Sequence, residues 1–129
     1  MKITDSLEHL ENDSQHSILS ADIKFMGDLF FSGTLYVFGS ITGNIISTKD
    51  PSSYLILEQG SQVSGEIRAS NIAIYSKVSG NIFAFNRLSL KKTAVIQGDV
   101  HYNELEMEEG ATINGNLSAI EDNKSTTLT

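Results

Sequence analysis

Val78-Ser79-Gly80-Asn81-Ile82 decides the fold: an apolar residue, a small polar one, a glycine, an amide or acid, then an aliphatic residue. The same phrase recurs as Phe25-Met26-Gly27-Asp28-Leu29, Ile41-Thr42-Gly43-Asn44-Ile45 and Val63-Ser64-Gly65-Glu66-Ile67. It returns as Ile96-Gln97-Gly98-Asp99-Val100 and Ile113-Asn114-Gly115-Asn116-Leu117. The glycine-to-glycine steps are 16, 22, 15, 18 and 17 residues. A near-fixed period of this length marks a repeat architecture.

Aligned on the glycine, the positions two before and two after it are apolar in all six copies, and the intervening positions are mostly polar. This alternation predicts a strand with one buried face running through the glycine. A second strand follows in the pairs Leu35/Val37, Leu55/Leu57, Ile72/Ile74, Leu88/Leu90 and Leu105/Met107. Turn-like segments come next (Gln59-Gly60, Lys91-Lys92-Thr93, Glu109-Gly110), then a small residue, Ser61, Ala94 or Ala111. Three short strands in about 17 residues leave no room for crossover helices, so βαβ units are excluded. The reading that remains is an all-β, single-domain parallel β-helix of about six triangular rungs, each pairing with the rungs above and below. A lone rung cannot offset its own ordering entropy, so its stability must be shared with neighbours.

The β-helix domain is expected over residues 18–120, between flexible tails at 1–17 and 121–129. Ile3, Leu7 and Leu10 stand at helical spacing, and Thr4 or Asp5 ahead of Glu8 fits a capped short helix, which is marginal alone. Thr48 to Ser53 carries the only proline and reads as a loop bulging from one corner of the longest turn.

The 129 residues carry a formal net charge of −7 and no cysteine. The charge opposes a phosphate-backbone footprint, so nucleic acid is not expected as a partner. Disulfide and thiolate chemistry are excluded. Neither a spanning apolar run nor a signal peptide is present, and an intracellular protein is expected. Catalytic, cofactor and metal sites are all expected to be absent. His9 and His16 fall in the tail, and His101 reads as a single outward imidazole. No phosphate loop or Ser-His-acid set is found. The residue after each glycine alternates Asp28, Asn44, Glu66, Asn81, Asp99, Asn116. Rungs lie ~4.8 Å apart, where adjacent carboxylates would repel by about 1 kcal/mol even in water. The interleaved amides read as a device that limits this repulsion.

Two surfaces are candidate interaction sites. The terminal rungs expose column rims: Ile18, Ile23 and Phe25 at the N-terminal end, and Ile113, Leu117 and Ile120 at the other. Their flanking segments look too polar or short to cap them. A lateral or partner face is read from Phe30, Ile46, Phe83 and Phe85, which fall at outward positions.

The block Ala21-Asp22-Ile23-Lys24-Phe25-Met26-Gly27-Asp28-Leu29, with Gly33-Thr34-Leu35 and Val37 to Ile45, resembles the opening of the bactofilins. The later rungs and Glu108-Glu109-Gly110-Ala111 continue the resemblance, which covers roughly residues 18–120. It implies a right-handed β-helix that polymerises end to end, without nucleotide, into non-polar filaments. It further implies a bacterial cytoskeletal scaffold for cell shape, wall synthesis or protein positioning, cytoplasmic or at the inner face of the membrane, with cell-envelope or wall-remodelling proteins as partners. Many family members carry an apolar N-terminal membrane-targeting stretch; residues 1–10 here are acidic, which opposes direct lipid binding. The competing reading is a hexapeptide-repeat trimeric enzyme or adaptor. Hexapeptide coils step in multiples of six, and steps of 15, 16 and 17 do not.

Overall fold

The computed structural model describes residues 16–47 and 51–120. Expectations for the first 15 residues, for 48–50 and for 121–129, including the short helix around Leu7, lie outside this range.

The first strands are β1 (His16–Leu19), β2 (Lys24–Met26), β3 (Leu29–Phe31), β4 (Thr34–Val37), β5 (Ser40–Thr42), β6 (Ile45–Ser47), β7 (Tyr54–Leu57) and β8 (Gln62–Ser64). They continue as β9 (Ile67–Ile74), β10 (Lys77–Ser79), β11 (Ile82–Leu90), β12 (Val95–Gln97), β13 (Val100–Met107), β14 (Thr112–Asn114) and β15 (Leu117–Ala119). The pairing is parallel throughout, and each strand bonds to its counterparts one turn before and one turn after. The result is the parallel β-solenoid of about six turns expected from the repeat. Side one (β3, β6, the opening of β9, β11 and β13, and β15) and side two (β1, β4, β7 and the later part of β9, β11 and β13) form a nine-stranded sheet. Side three (β2, β5, β8, β10, β12, β14) is a six-stranded sheet.

The apolar columns point into the lumen. Ile41, Ile45, Leu55, Leu57, Ile67, Ile72, Ile74, Ile82, Leu88, Leu90 and Ile96 are all at or below 1% exposure. Each stacks on its counterpart in the next rung, as in Leu35–Leu55–Ile72–Leu88–Leu105. Burial of this kind is worth roughly 1.5–3 kcal/mol per large aliphatic side chain, and here each is shared between adjacent turns. Among the described residues, every buried side-chain nitrogen or oxygen has a hydrogen-bond partner.

Three details differ from the sequence reading. The repeat glycine does not lie inside a strand; the chain turns a corner there, between sides three and one, at φ of +124° to +157°. That conformation suits glycine and lets two inward residues flank a bend rather than a continuous strand. Sides one and two, expected as separate strands, run as one strand in β9, β11 and β13, where the corner between them adds at most one residue. The first strand begins at His16, whose ring stacks 6.1 Å from Tyr36, so His16 belongs to the solenoid rather than to a tail.

Unequal steps also acquire a cause. Taking the 15-residue turn from Gly65 to Gly80 as the minimum, the strand registers locate every added residue. One lies between β3 and β4; five lie between β6 and β7 and two between β7 and β8. One is a bulge within β11 and two lie between β11 and β12. The last two lie between β13 and β14. The glycine corner accepts none.

Two contacts explain that intolerance. A Cβ on Gly65 would collide with the carbonyl oxygen of Gly43, and one on Gly80 with that of Gly65, so the corners stack at a separation only glycine allows. The next residue's N–H points back to the preceding rung, where a short side chain receives it. Glu66 N–H donates to Asn44 Oδ1 at 2.9 Å, Asp99 N–H to Asn81 Oδ1 at 3.0 Å, and Asn116 N–H to Asp99 Oδ1 at 3.1 Å. Asn44 Nδ2 also donates to Asp28 Oδ1 at 3.1 Å. The alternating column is thus a hydrogen-bonded ladder as well as a spacing of charge. Glu66, one methylene longer, instead pairs with Arg68.

Gly65→Ala is expected to destabilise the chain by at least about 3 kcal/mol, combining positive-φ strain with a backbone collision. Gly27→Ala should cost only the strain, about 1 kcal/mol, because a Cβ there meets nothing closer than Phe25 at 4.0 Å. Urea unfolding of both variants checks the contrast; equal losses would contradict it. In the ladder, Asn81→Leu should cost about 1 kcal/mol by orphaning the Asp99 N–H. Asn81→Asp keeps the acceptor but sets acids on three successive rungs, so its deficit should appear at low salt and shrink at high salt.

Candidate interaction surfaces

The exposed surfaces divide by side. On side one the outward column reads Phe30, Ile46, Arg68, Phe83, His101 and Ser118, one residue per rung. Its middle is a stack. The Arg68 guanidinium lies 4.3 Å from the Phe83 ring centre, and the His101 ring lies 4.4 Å from the same ring at 7°. Glu66 holds Arg68 from the preceding corner. His101 is therefore not a solitary imidazole; it faces outward as expected, but half-buried against Phe83. The sequence carries this signal as three planar groups at equivalent positions of successive repeats.

The four residues of the expected lateral face share this side without forming one patch. Phe30 is 62% exposed and Phe85 47%. Ile46 and Phe83 are half-buried, and both faces of the Phe83 ring are occupied. Phe85 is thrown outward by the bulge between Ala84 and Arg87, a common use of an extra residue in a ladder. Asparagines fasten this corner: Asn86 Nδ2 donates to Asn71 Oδ1 at 2.7 Å, and Asn71 Nδ2 to the Ser53 carbonyl at 2.9 Å.

Side two carries charge toward its C-terminal end. Arg87 bonds Glu106 at 2.9 Å and lies 3.7 Å from Glu104. The hydrogen bond and positive charge of Arg87 hold the Glu106 carboxyl below its ordinary range, and Glu106 raises Arg87 in turn. These groups are paired on an open surface, not gathered in a cleft. Among the described residues no three His, Asp or Glu side chains converge as metal ligands. No helix among them is long and apolar enough to cross a membrane.

The ends differ from the middle. Phe25 and Leu29 in the first full corner are half-buried, as is Ile113 in the last, while Leu117 is 47% exposed. The corresponding residues of the middle rungs are 0–1% exposed. Ile23, 43% exposed, stands over Gly39 at the N-terminal end. Ile120 closes the described chain, its N–H donating to the Tyr102 carbonyl at 2.6 Å. Ile18 lies on the end rung but points outward beside Tyr36; Leu19, paired with Val37, tops the inner column instead. A one-residue offset in a strand exchanges its faces, and the sequence reading took the wrong member of the Ile18-Leu19 pair.

These features match known proteins. Residues 17–118 match the family model Bactofilin, described as polymer-forming cytoskeletal. The chain is 26% identical over 102 residues to bactofilin BacO of Myxococcus xanthus (strain DK1622), covering 79% of this chain and 78% of that protein. It is also similar to the cytoskeletal bactofilin BacA, whose structure was determined by solid-state NMR. That likeness has a TM-score of 0.72 at 25% identity and covers 83% of this chain and 98% of the other. A solenoid whose turns stack on glycine corners, matched over most of its length, is a member of the bactofilin family of polymer-forming cytoskeletal proteins.

Proposed function

We propose that this chain is a structural scaffold that joins end to end into non-polar filaments without nucleotide, and that it works as a polymer rather than as an enzyme. The observation that carries this reading is the gradient of burial along the inner columns. Side chains sealed in the middle rungs have counterparts at the ends, Phe25, Ile113 and Leu117 among them, that remain partly open among the described residues. An end rung also leaves backbone donors and acceptors without a neighbouring strand. A second copy supplies both at once, through Ile23 and Phe25 at one end and Ile113, Leu117 and Ile120 at the other, with Ile18 at the N-terminal rim. The charged groups of side two are paired and solvated, an arrangement that supports holding strands together more than turning over a substrate.

The filament would organise cell shape, wall synthesis or protein placement in the cytoplasm, at the inner face of the membrane, by recruiting envelope or wall-remodelling proteins. Phe30 and Phe85 are the side-one residues most open to such a partner, with Ile46 between rungs and Phe83 held in its stack.

Leu117→Arg tests the ends. Circular dichroism should keep the β signal, because only the last rung needs to fray, while sedimentation velocity should show short species. If like ends join, blocking the C-terminal end leaves dimers held by their N-terminal ends; head-to-tail joining would leave monomers. Long polymers with an intact β signal would remove the C-terminal rung from the interface. Assembly of the parent protein should be unchanged by ATP or GTP, and a strong dependence on either would overturn the nucleotide-free reading.

A further inference from the structure

Side two divides across its middle. One outward column reads Ile18, Tyr36, Ile56, Ala73, Ser89 and Glu106, one residue per rung. The column beside it reads His16, Thr34, Tyr54, Asn71, Arg87 and Glu104. On the first four rungs neither column holds an Asp, Glu, Lys or Arg; Arg87, Glu104 and Glu106 stand on the last two. Ile18 and Tyr54 are exposed, as is Phe38 at the adjoining corner, while Tyr36 and Ile56 are half-buried. An apolar patch therefore covers the N-terminal half of this side, and the described chain begins on its rim, at His16.

We propose that residues 3–10 of this same chain pack on that patch as a short amphipathic helix. Ile3, Leu7 and Leu10 share one helical stripe, and Asp5 and Glu8 fall on the opposite face. A helix this short is marginal in water and gains its stability from an apolar surface to lie against. The dimensions agree: Ile3 to Leu10 spans ~10.5 Å along a helix, and Ile18 to Ile56, two rungs apart, spans ~9.6 Å. Asn12, Asp13 and Ser14 are turn formers placed where the chain must reverse before entering β1. That reversal sets Leu10 over Ile18, Leu7 over Tyr36 and Ile3 over Ile56. It also fixes the direction of the helix, whose N-terminus faces the charged half of the side. There Glu104, Glu106 and Glu108 outnumber Arg87 and Lys91, which favours Lys2 and the positive end of the helix dipole. Covalent attachment selects this occupant over a separate protein, because a tether of a few residues holds the segment at a high effective concentration. The docked helix turns Asp5 and Glu8 outward and leaves Ile23 and Phe25 on the end rung open.

Hydrogen exchange of the full chain, followed by mass spectrometry, tests the contact. Backbone amides of residues 3–10 should exchange at least about tenfold more slowly than in an unstructured peptide. Leu7→Gln/Leu10→Gln keeps helix formers and cannot disturb the solenoid, yet it should abolish the protection. Ile18→Thr/Ile56→Thr should do the same from the other side of the contact, whereas Phe30→Lys/Phe85→Lys on side one should not. The chain has no cysteine, so Leu7→Cys/Tyr36→Cys reports proximity directly. Mild oxidation should give a faster-migrating single chain on a non-reducing gel, and Leu7→Cys/Phe30→Cys should not. Ile3→Cys/Ile56→Cys repeats the measurement should circular dichroism show that the first pair misfolds. Unprotected amides in the parent, protection that survives the side-two variant, or no cross-link would each overturn the proposal. Disulfide-linked dimers in place of the cross-linked single chain would assign the segment to a neighbouring copy and overturn it as well.

Discussion

The carbonyl oxygen of one corner glycine packed beneath the α-carbon of the next is the contact on which this fold depends. It holds the corners in line, and a side chain there would collide with backbone. Because the approach recurs at Gly43, Gly65, Gly80, Gly98 and Gly115, the rungs share one register at this edge. The Asn and Asp oxygens then lie within reach of the following rung's N–H. The flanking aliphatic residues are directed inward at fixed positions, and their columns form the core. Length variation is displaced to the two remaining corners, where the close glycine approach does not recur rung after rung.

Most of the architecture was legible because the repeat writes it several times over. The columns from Leu35 to Leu105 and from Val37 to Met107 were read correctly, since an inward position demands an apolar residue in every turn. Legibility failed where position and conformation separate. The alternation across Gly80 is the same for a strand and for a bend that keeps both flanking residues inward, and only the backbone angle distinguishes them. Ile18 and Leu19 are equally apolar, and with one incomplete turn no repeat resolves which faces inward. The Asx ladder was visible as an alternation of charge, but its hydrogen bonds depend on where a backbone N–H points, which composition does not encode.

The surfaces were less legible than the core. Phe83 and His101 occupy the same position of successive repeats, so their stack is a sequence signal that was overlooked by treating the histidine alone. Phe85 was recognised as outward, but its exposure comes from one added residue in β11, visible only against β9 and β13.

Each residue of a rung meets its partner one turn away, between 15 and 22 positions along the chain. Most parallel sheets join strands far apart in sequence and fold slowly for that reason. Here the closure distance does not grow along the chain, being no longer for the fifth turn than for the second, so ordering can begin on any inner rung and spread by zippering. A terminal rung is the last to gain a neighbour and the first to lose one. When two solenoids meet at their ends, each becomes the template on which the other's final turn settles, and for that turn folding and association are a single event.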